Sequence, residues 1–160
     1  MFEELSQHIL DIAMNSLSAD ATKIEISVVE SRRHDRLVLR VRDDGRGMDA
    51  DTLRRILATS ASTKRSRRKA IGLGLAFLRQ TSEMCGGRFA VRSATGRGTS
   101  VTASMRLSHI DRPPLGDLNA TILALCAAEK KTAVQLNYRS DEEKLRFDSR
   151  ELATKGAVHV

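Results

Sequence analysis

Aromatic residues are scarce in this chain: it has no tryptophan, one tyrosine and four phenylalanines among 160 residues. The hydrophobic core must therefore be built mainly from aliphatic side chains. Surfaces that bind single-stranded nucleic acid stack the bases on aromatic rings. Nucleic acid is for this reason not the partner that the sequence favours.

Other absences narrow the class of protein further. No apolar run approaches the 18 or more residues of a membrane-spanning helix, so we expect no membrane insertion. The first residues show no basic segment followed by an apolar block, as a secretory signal would. The two cysteines, Cys85 and Cys126, lack the spacing of metal ligands. We therefore expect a reducing, cytoplasmic environment.

The rest of the composition is typical of a soluble globular protein, with 41% hydrophobic and 29% charged residues. The length of 160 residues suffices for one domain and a small appendage. The formal net charge of +7 favours anionic partners such as nucleotides, nucleic acid or acidic protein surfaces. Solubility is the simpler explanation of the same charge.

Hydrophobic periodicity predicts both helices and strands. Apolar residues of the first segment recur on one arc of a helix, and the next two segments alternate as half-buried strands do. Pro113 and Pro114 mark a boundary, so we predict a domain over 1–110 and a small extension over 111–160. The predicted helices are 2–18, 51–57, 72–85 and 117–128, and the predicted strands are 23–28, 36–42, 88–93, 99–107, 132–138 and 145–147.

Two glycine clusters are the most informative motifs. The first is Asp43-Asp44-Gly45-Arg46-Gly47-Met48 and the second is Gly72-Leu73-Gly74-Leu75. A polar, strongly basic segment separates them, and the predicted first helix carries Asp11 and Asn15 on one face. An acidic turn, a basic flap and a glycine-rich helix start, in this order, predict a nucleotide held without a Walker-type phosphate loop.

These motifs resemble those of the ATP-binding domain shared by gyrase, heat-shock chaperone, histidine kinase and mismatch-repair ATPases, the GHKL superfamily. The resemblance covers residues 5–107. It implies an α/β (α+β) fold, the Bergerat fold: a two-layer sandwich of helices on a mixed, mostly antiparallel sheet, here with a small C-terminal helix-strand extension. The matching segments are 11–15 for the N box, 43–47 and 72–75 for the two glycine boxes, and 96–99 for the final turn and threonine.

The resemblance implies that ATP or ADP binds with its adenine on Asp43, whose carboxylate accepts a hydrogen bond from the exocyclic amine. Gly45 and Gly47 are expected to let the backbone pass close to the base, since they lack a side chain. Met48 belongs to the same box. Thr99 is expected to reach the adenine edge directly or through water.

The phosphate end of the nucleotide is assigned in the same way. Asn15 offers an amide oxygen, which suits Mg²⁺, and in the family this residue holds the ion. Asp11 stands where the hydrolysing branches carry glutamate, and two roles stay open for it: general base, or partner of the Mg²⁺ hydration shell. Asp44 replaces the usual asparagine, so we expect it to add negative charge near the nucleotide.

The second glycine box is expected to open a helix whose free amides bind the triphosphate. Its residues are Gly72, Leu73, Gly74 and Leu75. The basic segment before it is expected to form a lid over the nucleotide, with Lys64 on the phosphates and the other cations in solvent.

The resulting hypothesis is an ATP- and Mg²⁺-binding, histidine-kinase-like ATPase module that acts as a regulatory switch or a kinase-like protein on an unidentified protein partner. One alternative is an ATP-gated protein-binding module without significant turnover. Another is a serine/threonine protein kinase of the anti-sigma-factor type. The oligomeric state stays open, with a homodimer among the expected assemblies. For His8, on the polar side of the first helix, we favour a structural or solvent-exposed role.

Overall fold

Six strands and four helices make up the parts of the chain that the computed structural model describes, residues 3–59 and 70–151. The helices are α1 (Leu5–Ser18), α2 (Ala50–Thr59), α3 (Ala70–Met84) and α4 (Leu118–Ala128). The strands are β1 (Lys23–Ser31), β2 (Arg36–Asp43), β3 (Phe89–Ala94), β4 (Gly98–Arg106), β5 (Ala133–Arg139) and β6 (Lys144–Asp148). Among the described residues, no helix combines the length and apolar character needed to cross a bilayer.

The strands form one twisted sheet in the order β3-β4-β2-β1-β5-β6. Every neighbouring pair is antiparallel except β1 and β5, which run parallel. The predicted fold, helices on one face of a mixed and mostly antiparallel sheet, is confirmed. Alternation in β2 shows why only one face is covered: Leu37, Leu39 and Val41 are buried under the helices, whereas Arg40 and Arg42 lie exposed on the other side.

The core is aliphatic, as the scarcity of aromatic residues predicts. Helix α1 lies against the middle of the sheet and contributes Leu5, Ile9 and Ile12, each no more than 3% exposed. A capping box fixes the start of the helix, in which the Glu4 amide donates to Gln7 Oε1 at 3.0 Å. The helix contacts β2 and β1, the two central strands of the sheet.

Residues beyond Pro114 continue the same sheet and support α1. Strand β5 pairs with β1 in parallel, and α4 packs against α1. The first amides of α1 donate to carbonyl groups of the extension, Leu5 to Pro114 at 2.9 Å and Ser6 to Leu115 at 2.8 Å. Amides that a helix start leaves without partners are satisfied in this way. The extension therefore fixes the helix that carries Asp11 and Asn15.

Candidate functional site

A cavity of about 300 Å³ opens between α1, α2 and α3, above the ends of β2 and β4. Its size lies at the lower end of the range typical of small-molecule sites. Apolar side chains form most of the wall: Ile12, Val41, Met48, Ile56, Leu75 and Val101. The polar lining comes from Asn15, Ser16, Asp43 and Thr99 among others. Such a cavity suits a flat, mostly apolar ring with a few polar edges.

Asp43 stands at the end of β2 and holds a carboxylate in this cavity. Its Oδ1 accepts hydrogen bonds from the amides of Gly45 (2.8 Å) and Thr99 (3.2 Å), and its Oδ2 accepts one from Ser16 Oγ (2.6 Å). A carboxylate has about four lone-pair positions. Three are occupied from within the chain, so Oδ2 retains one acceptor position for a donor in the cavity.

The turn after Asp43 explains the glycines of the first box. Gly47 has φ +68°, and a Cβ on it would lie 2.0 Å from the carbonyl oxygen of Ala94. The turn therefore packs directly against the end of β3, and the Met48 amide donates to Ser93 Oγ at 2.8 Å. The cavity is lined by Gly47, Met48 and Thr99, three of the residues that are expected to bind the nucleotide.

Gly45, the first glycine of this box, packs against the end of α1. It does not line the cavity among the described residues. A Cβ on Gly45 would lie 2.8 Å from the carbonyl oxygen of Ala19, so the missing side chain lets the turn pack on the end of α1. Its amide then donates to Asp43, and Gly45 acts on the cavity through that carboxylate.

Asp44 points away from the cavity, contrary to the expectation that its charge would lie near a nucleotide. Its carboxylate accepts hydrogen bonds from the amides of Thr22 (2.8 Å) and Lys23 (3.0 Å) and from the Thr22 hydroxyl. Partial burial alone would raise the pKa of Asp44, but these hydrogen bonds outweigh it and lower the pKa. Asp44 thus fastens the start of β1 to the end of β2.

Asn15 and Asp11 lie one turn apart on α1, and Asn15 lines the cavity. Within the described part of the chain, neither side chain makes a hydrogen bond, which leaves both free for a ligand. Burial raises the pKa of the Asp11 carboxyl. The Asp11 carboxylate lies against Gly74: a Cβ atom on Gly74 would be only 1.8 Å from Asp11 Oδ2.

Helix α3 begins at Ala70, two residues before the predicted start. Only the first few amides of a helix lack intrahelical acceptors, and Gly74, as the fifth residue, lies beyond them. Gly74 makes room for the Asp11 side chain, while Gly72 lies within the first turn of the helix.

Of the two leucines in this box, Leu75 is 3% exposed and lines the cavity, whereas Leu73 is half-buried. Lys64 lies outside the described residues.

Two contributors were missed in the sequence. Ser16 is 2% exposed and donates the shortest hydrogen bond to Asp43. Arg46 lines the cavity and donates to the Ser18 carbonyl (2.6 Å) at the end of α1. In the sequence, the only indication that Ser16 belongs to the site is its position directly after Asn15. Ser16 and Asp43 are 27 residues apart in the sequence, and only the folded chain brings them into contact.

His8 is fully buried, although helical periodicity had placed it on the polar side of α1 with Asp11. The reason is that α3 covers this side of the helix, and Thr81 Oγ1 lies 3.4 Å from His8 Nε2. Burial lowers the pKa of His8 to about 4, so the ring is neutral at pH 7.

Sequence comparison relates residues 1–109 to the family described as histidine kinase-, DNA gyrase B- and HSP90-like ATPases. The sensor histidine kinase ZraS of Escherichia coli K12 is 30% identical over 114 residues, which are 71% of this chain and 24% of ZraS. The sensor histidine kinase DcuS of the same strain is 43% identical over 72 residues, or 45% of this chain and 13% of DcuS. The chain thus spans about a quarter or less of these curated relatives.

Structure comparison finds the same fold in solved structures of other proteins. The Aquifex aeolicus MutL ATPase domain complexed with ADP gives a TM-score of 0.52 at 16% identity, over 92% of this chain and 64% of that domain. The N-terminal domain of a DNA repair protein gives a TM-score of 0.56 at 14% identity, over 91% of this chain and 52% of that one. Together with the sequence match, this confirms the resemblance predicted from the glycine boxes.

Proposed function

We propose that this chain, which belongs to the histidine kinase-, DNA gyrase B- and HSP90-like ATPase family, binds ATP or ADP with Mg²⁺ in the cavity above Asp43. We further propose that it works as a nucleotide-dependent regulatory module. The observation that carries this proposal is the Asp43 carboxylate, held by three hydrogen bonds with one acceptor position open to an apolar cavity.

The chemistry of that position favours adenine over guanine. An exocyclic amine donates, so it would complete the acceptor capacity of Asp43 Oδ2. Guanine presents a carbonyl oxygen at the same ring position, and two acceptors facing each other in a low-dielectric cavity repel. The apolar side chains of Ile12, Met48 and Leu75 would cover the faces of the ring. The ribose and phosphates would then extend towards Asn15 and the start of α3.

The residues on α1 fit a Mg²⁺ ion bound with the phosphates. The Asn15 amide oxygen is a hard ligand without a competing hydrogen bond among the described residues, and the Asp11 carboxylate lies one turn away. Mg²⁺ bound with few protein ligands keeps waters and phosphate oxygens in its shell, and it would neutralise part of the phosphate charge. Asn15 would hold it, and Asp11 would orient a water near the terminal phosphate.

Two features support turnover as well as binding. Burial raises the pKa of Asp11, which makes its carboxylate a stronger base than one in solvent. ZraS and DcuS, the matched relatives, are sensor kinases, and the MutL domain is named as an ATPase complexed with ADP. Kinase-like action on a regulatory protein is thus one form of the proposed module, and ATP hydrolysis is another.

Calorimetric titration with ATP, GTP and Mg²⁺ tests the nucleotide site. Asp43→Asn should weaken ATP binding roughly 10- to 100-fold, because a hydrogen bond to a charged group contributes about 1.5–3 kcal/mol. Asp44→Asn makes the same chemical change one residue away, on a carboxylate outside the cavity, and should leave the ATP affinity within about twofold. Equal losses in the two variants, or equal affinity for ATP and GTP, would refute adenine recognition by Asp43.

Phosphate release measured with Asp11→Ala and Asp11→Glu separates an ATPase from a binding module. An ATPase that uses Asp11 should lose about 100-fold or more in turnover on Asp11→Ala, as removal of a general base does, and should keep activity on Asp11→Glu. If ATP binds and neither substitution changes phosphate release, the chain is a binding module. Transfer of labelled phosphate from ATP to a protein partner would identify a kinase.

A further inference from the structure

The sheet face opposite the helices carries a dense row of arginines. Strand register places Arg40 and Arg42 of β2 on this face, and β4 brings Arg92 of β3 alongside them through Ser100. With Arg97 from the turn between β3 and β4, these side chains surround a hollow of about 370 Å³. The four arginines lie on the sheet face opposite the helices, and the hollow also reaches Asp43 and Thr99, which line the cavity on the helical side.

This arginine cluster, Arg40, Arg42, Arg92 and Arg97, is exposed and unneutralised. Within the described residues, none of the four side chains makes an ion pair or a hydrogen bond. The register places one carboxylate opposite this cluster, Glu25 across from Arg42, and Glu25 forms its ion pair with Lys23. The four like charges therefore repel one another, which is unfavourable in the free protein. An anionic ligand would remove that repulsion.

Charge continues across the rest of the uncovered face. Lys144 and Arg146 of β6 and Arg139 of β5 share this side of the sheet by register. The two carboxylates on the face are already paired, Glu25 with Lys23 at 3.0 Å and Asp148 with Arg150 at 2.7 Å. Six strands spaced about 4.8 Å apart place cations roughly 24 Å from one edge of the sheet to the other.

The side chains directly opposite Arg40 and Arg42 on β4 are hydroxyls, while the apolar residues of this face include Val29, Val38 and Ala90. Ser100 pairs with Arg42 and Thr102 with Arg40, and Asn137 stands in the same row across β1. Arginine, serine, threonine and asparagine are the side chains that contact phosphates of nucleic acid. Hot spots of protein interfaces also contain arginine, but they combine it with buried tryptophan and tyrosine. By register, none of the described aromatic residues lies on this face of the sheet.

We propose that this face binds the phosphate backbone of a nucleic acid duplex. A duplex carries one negative charge per about 1.7 Å of its axis, a repeating charge that suits cations spread over the whole sheet. Phosphate contacts need no aromatic side chain, so the scarcity of aromatic residues that disfavours base stacking does not count against this mode. The proposal does not rest on the nucleotide cavity, because none of the four arginines lines that cavity.

Fluorescence anisotropy with a short labelled DNA duplex, titrated over a range of NaCl concentrations, tests the proposal. The full chain should bind with Kd between about 10⁻⁴ and 10⁻⁶ M, without sequence preference. The triple variant Arg40→Gln/Arg42→Gln/Arg92→Gln should bind at least about 10-fold more weakly at low salt. Its log–log salt slope should fall in magnitude by roughly 2–3, since each phosphate contact contributes about 0.9.

Two triple variants with the same charge change serve as controls. Arg54→Gln/Arg55→Gln/Arg79→Gln removes exposed arginines of the helical layer, and Arg65→Gln/Arg67→Gln/Arg68→Gln removes three from the basic segment before α3. Both should bind the duplex more tightly than the sheet variant does. Circular dichroism checks that all three variants are folded.

Three outcomes overturn the proposal. The first is no duplex binding at low salt. The second is a sheet variant that binds as well as either control, which would place any binding elsewhere or make it a matter of net charge. The third is displacement of the duplex by polyglutamate at equal charge concentration, because the face would then be a site for acidic protein segments.

Discussion

The Asp11 carboxylate occupies the space that a side chain on Gly74 would need. A Cβ on Gly74 would lie 1.8 Å from Asp11 Oδ2 and 3.0 Å from Asp11 Cγ. The two residues stand on α1 and α3, so the glycine lets a carboxylate lie against the backbone of a neighbouring helix. This contact fixes the direction of Asp11 and partly removes it from water.

The effect of Gly74→Ala on stability should therefore depend on residue 11. Alanine is favoured over glycine in a helix by about 1 kcal/mol, but in the natural sequence the Asp11 side chain must move, at a cost of about 0.5–1.5 kcal/mol. In the Asp11→Ala background the nearest remaining atom of residue 11 is Cβ at 3.8 Å, which is an ordinary contact. Gly74→Ala should then stabilise the protein by about 1 kcal/mol more than it does beside Asp11.

Urea denaturation of the four proteins without nucleotide measures this coupling, and it avoids any direct effect of Gly74 on a ligand. An additive double-mutant cycle would show that Asp11 does not lie against α3 in solution. In the presence of ATP, Gly74→Ala should also reproduce part of the turnover defect of Asp11→Ala.

Gly47 and Gly96 provide a matched test of the turn that borders the cavity. Both have positive φ, +68° and +77°, but a Cβ on Gly47 would lie 2.0 Å from the Ala94 carbonyl oxygen, whereas one on Gly96 would meet no atom within 4 Å. Gly96→Ala should cost only backbone strain, about 1–2 kcal/mol. Gly47→Ala should cost clearly more and should weaken ATP binding. Thermal melts and calorimetry compare the two, and equal losses would exclude the close contact as the cause.

Local patterns were sufficient to predict the elements of the fold. Strand β2 was predicted over 36–42 and spans Arg36–Asp43, because alternation of apolar and polar residues is visible within the strand itself. The start of α1 was predicted three residues too early. It depends on a capping box and on the carbonyl groups of Pro114 and Leu115, which are distant in sequence. Glycine spacing indicated the family, whereas the contact of Gly74 with Asp11 joins two helices and depends on how they pack.

Features that depend on contacts between distant elements could not be predicted. The orientation of Asp44 follows from its hydrogen bonds to Thr22 and Lys23, which require β1 and β2 to be paired. In the same way, the residues of the arginine cluster come from β2, β3 and a turn. Only the strand order β3-β4-β2 brings these arginines together. In the sequence these arginines are separate polar positions of amphipathic strands.

Ser16→Ala should weaken ATP binding roughly 5- to 15-fold. The substitution removes the 2.6 Å hydrogen bond to Asp43 Oδ2, and a hydrogen bond of this kind contributes about 1–1.5 kcal/mol. The carboxylate would then be oriented only through Oδ1, by Gly45 and Thr99. In the Asp43→Asn background the further loss should be smaller, because Ser16 acts through that carboxylate. Calorimetric titration of the double-mutant cycle measures the difference, and a full additional loss would mean that Ser16 contacts the nucleotide by itself.

Acidification should destabilise the protein through His8. Its pKa of about 4 in the folded state lies below the usual value of 6.5 because the ring is buried. The unfolded chain therefore binds a proton between these pH values that the folded chain does not, and stability falls as the pH drops from 6.5 towards 4. Between pH 7 and pH 5 the loss should be about 2 kcal/mol.

His8→Gln isolates this effect, since glutamine cannot titrate but can still hydrogen-bond to Thr81. The variant is expected to be less stable than the natural chain at pH 7 and to lose less stability between pH 7 and pH 5. Asp11, whose pKa is raised by burial, acts in the opposite sense and gains relative stability on protonation. Urea denaturation at several pH values between 5 and 7 gives the proton uptake on unfolding as a slope. An unchanged slope in His8→Gln would mean that the ring is accessible to protons in the folded state, and therefore that α3 does not cover this side of α1 in solution.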